Sequence, residues 1–284
     1  MNWFALSLIS AFSLASADAF TKRNLGDYSE EELVMVRFLI PALILSPFLV
    51  FRPVPHLPSA FWVWVSCAVP LEILAMRFYM RVIRHSPLYL TLPYLAFTPI
   101  FTAMIGFALL GEKIGFSGFL GILLITCGAF MLNLRYLGKG IFEPFRAVYR
   151  EEGSRLMLLV AVIYGVTSVL GKGALQYCPP LAFGALYYLL VGTGSLLLSS
   201  RKLVQIFRKP GSVLLIGGLA AAMVMTHFFA ISITKAAYMV AVKRTSLLFG
   251  VIYGAIFFRE RDFRLHFLAG AIMVAGVALI STMV

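Results

Sequence analysis

Ten apolar runs, most of them about 20 residues long, decide what this chain can fold into. They are continuous rather than short segments in which apolar and polar residues alternate. A membrane-spanning helix needs about 20 apolar residues, whereas a transmembrane strand is shorter and alternates. Only 13% of the residues are charged, about half the share found in a soluble domain. The sequence therefore predicts an all-α integral membrane protein with ten transmembrane helices.

The predicted spans divide the chain into two parts of five helices each. They lie at residues 2–21, 32–51, 59–82, 88–110, 115–134, 154–172, 181–199, 211–234, 237–258 and 262–283. The predicted domains are residues 1–135 and 154–284, joined by a linker at 136–153. Apolar residues of this linker share one helical face, which is typical of a helix on the membrane surface. An exposed linker remains an alternative.

The first apolar run is predicted to stay in the protein as a helix. Its basic residues, Lys22 and Arg23, follow the run. A secretory signal peptide carries its positive charge in front of the apolar stretch. The pattern therefore indicates a retained first span rather than a cleaved leader.

The two halves of the chain resemble each other. With a shift of 148 residues, Phe101–Glu112 aligns with Phe249–Glu260, and each segment is an apolar run that ends in a glutamate. Gly128 then aligns with Gly276 in the next span. Because five spans are an odd number, the second half must cross the membrane in the opposite direction. This predicts two inverted repeats, a recurring design of secondary transporters with a site near the midplane.

The distribution of basic residues agrees with this inversion. The loops after odd-numbered spans, with the adjoining helix ends, hold seventeen Lys and Arg residues. The other loops hold four: Arg52, Lys113, Lys172 and Lys235. Cytoplasmic loops collect basic residues, so both termini are expected outside the cytoplasm, in a plasma (inner) membrane. The net charge of +12 is then explained by contact with membrane lipids, and no nucleic-acid partner is expected.

Short motifs lie in both halves of the chain. They are Arg37-Phe38, Pro93, Pro99, Leu110-Gly111-Glu112-Lys113, Gly118, Gly121 and Gly128 in the first half, and Phe258-Arg259-Glu260, Gly270 and Gly276 in the second. In these motifs the chain resembles the drug/metabolite transporter superfamily, specifically its ten-helix branch with two EamA-type repeats. The resemblance implies a secondary transporter. It leaves the substrate open, because the superfamily moves amino acids, drugs, nucleotide sugars and sugar phosphates.

A second, local resemblance concerns the ninth span. Val242-Lys243-Arg244 is similar to the Lys-Arg pair with which plastid triose-phosphate translocators bind phosphate. Those proteins also carry a lysine four residues before a proline in the fourth span. Counted back from Pro99, that position is Leu95 here. The resemblance implies that Lys243 and Arg244 hold a carboxylate or a single phosphate.

Charged residues inside the spans are the main site candidates, because a charge near the bilayer centre costs at least ~2.5–3.5 kcal/mol. Lys243 and Arg244 are candidates for binding an anion, with snorkelling or a structural ion pair as the alternative. Glu72 is a candidate for proton coupling or for an amine contact, and a pair with Lys243, Arg244 or Arg77 is the alternative. His227 is either a titratable contact or a packing residue.

Other charged residues have a structural and a functional interpretation. Arg37 is either a gate or a structural partner of the acidic run at 27–32. Asp18 is expected to pair with Lys22, four residues further along the same helix. Glu112 and Glu260, at the ends of their spans, are expected to be structural.

Two further groups are defined by residue type. Arginines on one face of the third span are expected to contact lipid headgroups; they are Arg77, Arg81 and Arg84. Aromatic residues that are candidates for lining a cavity, with ordinary packing as the alternative, are Tyr79, Tyr94 and Tyr187, followed by Phe97, Tyr164 and Tyr188.

The leading functional hypothesis is a secondary active transporter of a small anionic or zwitterionic metabolite that works by alternating access. Its cavity is expected between helices 1–4 and 6–9, in a monomer or a homodimer. The sequence shows no hydrolase triad, phosphate-binding glycine loop or metal cluster, so no enzymatic activity, cofactor or metal is expected. One alternative is a flippase, or a flippase subunit, for a lipid-linked sugar or lipid phosphate. Another is a membrane scaffold or sensor without transport activity.

Overall fold

The computed structural model describes residues 2–51, 56–86, 91–131, 151–199, 203–258 and 263–281. These residues are almost entirely helical, and they contain no strand. The α-helices are α1 (Trp3–Asn24), α2 (Glu30–Leu45), α3 (Pro47–Phe51), α4 (Ser59–His85), α5 (Thr98–Leu110), α6 (Phe116–Met131), α7 (Glu152–Ala174), α8 (Pro180–Ser199), α9 (Pro210–Ile233), α10 (Ala236–Lys243), α11 (Ser246–Phe258) and α12 (Phe263–Ser281). Two 3-10 helices cover Leu92–Phe97 and Val204–Arg208.

These helices account for every predicted span. Seven helical segments are long and apolar enough to cross a membrane, and three shorter apolar helices accompany them. Taken in chain order, they correspond one to one with the ten spans predicted from the sequence. The all-α membrane fold class is therefore confirmed. Most of the predicted linker at 136–153, and Glu260 with it, lies outside the described residues.

The fourth and ninth spans are not the continuous helices that the sequence predicted. The fourth begins as a 3-10 helix and continues as α5, with Pro99 in its first turn, where a missing N–H costs nothing. The ninth divides into α10 and α11. Both α5 and α11 begin and end at residues that are 148 positions apart. The break is therefore a shared feature of the two repeats.

Local hydrogen bonds explain the break in the ninth span. The N–H of Arg244 donates to the carbonyl of Ala241, and that of Thr245 donates to the carbonyl of Val242, both at 3.0 Å. These three-residue bonds tighten the backbone as in a 3-10 turn. The Thr245 hydroxyl also donates to the Val242 carbonyl at 2.8 Å, so it competes with the regular helical bond. The regular helix of the ninth span is therefore interrupted directly after Lys243.

One end of the bundle is held together by basic side chains. Arg84 donates to the carbonyl of Tyr28 at 2.9 Å, and Arg81 pairs with Glu152 at 2.9 Å. We call this the basic end; Arg81, Arg84, Arg208 and Lys209 lie there. Arg81 and Arg84 have partners in neighbouring segments of the protein and are also exposed, and the expected contact with lipid headgroups stays a prediction.

The basic end also joins the start of α9 to the loop between α1 and α2. Nζ of Lys209 donates to Asp27 at 2.7 Å and to the carbonyl of Asn24 at 2.9 Å. The hydrogen bond from Lys209 holds the pKa of Asp27 below its usual value of 3.8. Arg208 stacks on the ring of Tyr28, with 4.6 Å between its Cζ and the ring centroid. These contacts bring elements of both halves together at this end.

The opposite end, defined by Glu112, Lys172 and Lys235, is held by one carboxylate. Glu112 accepts hydrogen bonds from Nζ of Lys172 and from the N–H of Ala236 at 3.0 Å. Nζ of Lys172 also donates to the carbonyl of Thr234 at 2.5 Å. The contacts join the ends of α5 and α7 to the start of α10, so this end is closed across the two halves.

A glycine explains why Glu112 reaches its partners. Gly111 has a φ of 66°, in the left-handed region that glycine adopts without steric cost. The N–H of Glu112 can then bond to the carbonyl of Gly106 at 3.1 Å, a common way to end a helix. Glu112 was predicted to have a structural role, and these contacts identify its partners.

Helices α6 and α12 pack through glycines. A Cβ atom at Gly276 would lie 2.7 Å from the carbonyl oxygen of Gly121 and 2.9 Å from the nitrogen of Ile125. These are backbone atoms, so the two helices would have to move apart. A Cβ at Gly250 would meet nothing within 4 Å.

We therefore expect Gly276→Ala to destabilise the protein by about 1–3 kcal/mol, the usual cost of overpacking. Gly250→Ala is the matched control, because it adds the same methyl group in open space and improves helix propensity. Thermal unfolding of both variants in the same detergent measures the difference. Equal unfolding temperatures would show that α6 and α12 are not in close contact at Gly276.

Candidate functional site

A cavity of about 100 Å³ lies between helices of the two halves. Its lining comes from α1, α2, α4 and the first 3-10 helix in one half, and from α7, α8, α9 and α10 in the other. A single buried water needs about 10–15 Å³ of such cavity volume, so the space accommodates several waters or a small polar molecule. The lining elements belong to spans one to four and six to nine, between which the sequence predicted a cavity.

Most of the residues proposed from the sequence line this cavity. They are Arg37, Glu72, Tyr79, Tyr187, His227, Lys243 and Arg244. Phe97, a further aromatic candidate, does not line the cavity, and its ring centroid lies 5.5 Å from that of Phe130. Tyr94 does not line the cavity either, and its assignment there is corrected. It lies in the first 3-10 helix with its hydroxyl near Ser154, which belongs to the first turn of α7 at the basic end. The periodicity of the sequence gave no sign that the start of this span is a 3-10 helix.

Two adjacent cations stand at the break in the ninth span. Nζ of Lys243 lies 3.1 Å from Sδ of Met223 and 3.4 Å from Nδ1 of His227. Arg244 is 6% exposed, and its Nε has no hydrogen-bond partner. Neither cation forms an ion pair within the part of the chain that the structure describes. Buried charges are normally paired, so two cations without a direct ion-pair partner at this place are unusual.

Glu72 faces the same cavity from α4. Thr167 on α7 provides a side-chain hydrogen bond to its carboxylate. Among the described residues, none forms an ion pair with Glu72, so the suggested pairs with Lys243, Arg244 or Arg77 are absent there. The carboxylate remains accessible to a proton or to an ammonium group in the cavity.

Arg37 is paired with a residue that sequence reasoning assigned differently. Its Nη2 donates to Oδ1 of Asp18, and the hydroxyl of Tyr79 donates to Oδ2 of Asp18 at 3.0 Å. Arg37 is 3% exposed, and its Nη1 has no hydrogen-bond partner. A structural pair with the acidic run at 27–32 was one of the two interpretations of Arg37. Arg37 pairs with Asp18 instead, and Glu32 of that run pairs with Arg208 at 3.0 Å. The interpretation of Arg37 as a gate stays a prediction.

The contact of Asp18 with Arg37 was missed, because a pair with Lys22 on the same helix already accounted for the charge of Asp18. Lys22 lies four residues along α1, the spacing of a local ion pair. Only the packing of α1 against α2 and α4 brings Asp18 opposite Arg37 and Tyr79. An acidic residue inside a predicted span was the available signal, because such residues are retained only with a compensating partner.

Aromatic side chains form one wall of the cavity. The ring of Tyr187 lies 6.2 Å from that of Tyr188 and 5.7 Å from that of Phe228. Tyr79 and Tyr164 lie 6.4 Å apart across the α4–α7 interface. Hydroxyl groups on an otherwise apolar wall suit a small molecule with both polar and apolar parts.

The arrangement provides groups that can bind a small polar molecule. It combines two cations without a direct ion pair among the described residues, a carboxylate and an aromatic wall. Within the described residues, no group of three or more His, Cys, Asp or Glu side chains is placed to hold a metal ion.

Comparison with known proteins identifies a family and a fold. The model of the EamA-like transporter family matches residues 1–134 and 152–282. One crystal structure superimposes with a TM-score of 0.72, covering 99% of this chain and 96% of that chain at 16% identity. At this identity the likeness shows the fold alone. A search of curated proteins finds no match to the sequence.

Proposed function

Because the chain belongs to the EamA-like transporter family and is a multi-pass membrane transporter of the drug/metabolite type, we propose that it carries a small anionic or zwitterionic metabolite by alternating access. The observation that carries this proposal is the pair of cations at the break of the ninth span. Lys243 and Arg244 line the cavity between the halves and lack an acidic partner among the described residues.

An anionic substrate explains why two adjacent cations are retained inside a membrane-spanning segment. Removing a charge from water costs several kcal/mol unless an opposite charge and hydrogen bonds compensate. A carboxylate or phosphate provides both, and the free Nε of Arg244 is a hydrogen-bond donor for it. Guanidinium groups match the geometry of these anions better than an ammonium group does.

Glu72 is the residue proposed for coupling. It lies in the same cavity as Lys243 without an ion pair to it. A carboxylate in that position can bind a proton that travels with the substrate, or the ammonium group of a zwitterion. Either role ties its charge state to occupancy of the cavity.

Alternating access requires the two ends of the cavity to open in turn. The contacts of Glu112 with Lys172 and Ala236 hold the opposite end closed, so they must break when the substrate passes there. We propose that the protein lies in the plasma (inner) membrane. The basic end then faces the cytoplasm, because cytoplasmic segments collect Lys and Arg. Both termini then lie outside.

A thermal-shift screen tests the proposal. Purified protein is mixed with amino acids, organic phosphates, carboxylates and lipid phosphates, and Lys243→Gln/Arg244→Gln is screened in parallel. A ligand at 100 times its Kd stabilises the native state by about 2.7 kcal/mol. We expect at least one soluble anion to raise the unfolding temperature of the wild type and not that of the double variant.

The matched control is Lys22→Gln/Arg23→Gln. It removes the same two residue types in the same order from the exposed end of α1, so it should keep the ligand response. Equal responses of wild type and Lys243→Gln/Arg244→Gln would show that the two cations do not bind the ligand. A response confined to lipid phosphates would favour a lipid-phosphate flippase.

A further inference from the structure

We infer that Arg37 is a second anion-binding residue and that the substrate carries two separate anionic groups. This inference rests on the proposed function and specifies its substrate. Arg37 lines the same cavity as Lys243 and Arg244. Its Nη1 is buried and has no hydrogen-bond partner, although Nη2 is bonded to Asp18. One donor of the guanidinium is therefore available to a ligand in the cavity.

The Arg37 cluster stands at one level of the bundle. Asp18 lies six residues before the end of α1, Arg37 seven residues after the start of α2, and Tyr79 six residues before the end of α4. These three helix ends meet at the basic end. With a rise of 1.5 Å per residue, each backbone position lies about 9–10 Å from that end.

Lys243 and its neighbour His227 stand at a second level. Lys243 lies seven residues after the start of α10, and His227 lies six residues before the end of α9. Both helix ends belong to the opposite end of the bundle. The backbone positions of the two levels are about 16 Å apart in helices of 23–24 residues, and long side chains from both reach one cavity. A molecule with an anionic group at each end matches this arrangement.

Asp18 and Tyr79 act as positioning residues. Asp18 holds one arm of the guanidinium, and the Tyr79 hydroxyl holds the second oxygen of Asp18 at 3.0 Å. The planar guanidinium is thereby fixed, and its free arm is held ready for a ligand. A fixed donor binds an anion with less loss of side-chain freedom than a mobile one.

A second anionic group would be balanced by one proton on Glu72. The cavity and its border contain three cations, Arg37, Lys243 and Arg244, and two carboxylates, Asp18 and Glu72. A dianion would leave one excess negative charge if both carboxylates were ionised, and none if Glu72 carried a proton. A substrate with two anionic groups therefore binds as a neutral assembly together with one proton.

The test compares ligands that differ by one anionic group. Straight-chain dicarboxylates from malonate to adipate, monocarboxylates of equal length, and inorganic phosphate are titrated against the full-length protein by thermal shift. We expect at least one dicarboxylate to bind about ten-fold more tightly than its matched monocarboxylate, as one charged hydrogen bond provides. In Asp18→Asn/Arg37→Gln, which removes both charges of the pair, the dicarboxylate should lose more affinity than the monocarboxylate, so that the preference falls below about two-fold.

Two further variants separate positioning from folding. Arg81→Gln/Glu152→Gln removes an ion pair of the same charges outside the cavity and should leave the preference intact. Tyr79→Phe removes only the hydroxyl that holds Asp18, and it should reduce the preference for the dicarboxylate over its matched monocarboxylate to about three-fold.

Three outcomes would overturn the inference. The first is that no dicarboxylate binds the wild type more tightly than its matched monocarboxylate. The second is that inorganic phosphate binds the wild type as tightly as the best dicarboxylate does. The third is that Asp18→Asn/Arg37→Gln keeps the preference for the dicarboxylate over its matched monocarboxylate. Failure of the proposed function looks different, because all anions would then bind Lys243→Gln/Arg244→Gln as well as the wild type, or bind neither.

Discussion

Replacing Glu112 with glutamine should lower the free energy of unfolding by about 3 kcal/mol, at the lower end of the cost of breaking a buried ion pair. Glu112 is 11% exposed and Lys172 19% exposed, so water compensates little of the lost charge. The substitution would leave Lys172 without its counter-ion and weaken the bond to the N–H of Ala236. Chemical denaturation in micelles measures the change.

Two comparisons test whether the ion pair causes this loss. Glu112→Gln/Lys172→Met removes both charges, so it should be more stable than Glu112→Gln alone. Glu152→Gln removes one member of the exposed pair with Arg81 and should cost less than about 1 kcal/mol, as exposed ion pairs do. An unchanged stability of Glu112→Gln, or a double variant less stable than the single one, would contradict this assignment.

Glu72→Gln should abolish the accumulation of substrate that a pH gradient drives in proteoliposomes. A gradient of one pH unit supplies about 1.36 kcal/mol per proton, equivalent to about ten-fold accumulation. Glutamine keeps the size and a hydrogen-bond acceptor for Thr167 but cannot bind the coupled proton. The accumulation ratio should therefore fall to about one, while exchange of substrate across the membrane continues.

The same variant distinguishes coupling from binding. Retained exchange together with lost accumulation assigns proton coupling to Glu72. Accumulation at the wild-type level would exclude Glu72 as the coupling group. Glu152→Gln serves as the control, because Glu152 is 61% exposed and pairs outside the cavity.

The fold was predictable because it depends on properties that accumulate over whole segments. Apolar runs of about 20 residues identified the spans, and each corresponds to an apolar helix among the described residues. The similarity of Phe101–Glu112 to Phe249–Glu260 predicted the repeat, and α5 and α11 now share their bounds at a shift of 148. A break such as that after Lys243 depends on a few hydrogen bonds, which no hydropathy pattern reveals.

A charge inside a span was the clearest signal for residues of the candidate site. Lys243, Arg244 and Glu72 were found in this way, since such charges need compensation. The partnership of Asp18 with Arg37 was not, because it joins two helices and a nearer cation on α1 offered a sufficient explanation. Tyr94 was assigned to the cavity by residue type alone, and the helix that carries it directs it towards Ser154.

The structural role of Glu112 was predicted without its partners. Its position at the end of a span indicated the membrane edge, but the bonds to Lys172 and Ala236 depend on how the second half folds back onto the first. Its repeat mate Glu260 and the predicted linker at 136–153 lie mainly outside the described residues, and the predictions for them stand as predictions.

The most direct measurement is counterflow of the stabilising anion into proteoliposomes that contain either the wild type or Lys243→Gln/Arg244→Gln. We expect the wild type to exchange labelled anion, and the double variant to show the rate of protein-free liposomes. Lys22→Gln/Arg23→Gln should exchange as the wild type does. If the double variant exchanges at the wild-type rate, or the wild type does not move an anion that it binds, the cavity at Lys243 and Arg244 is not the transport site.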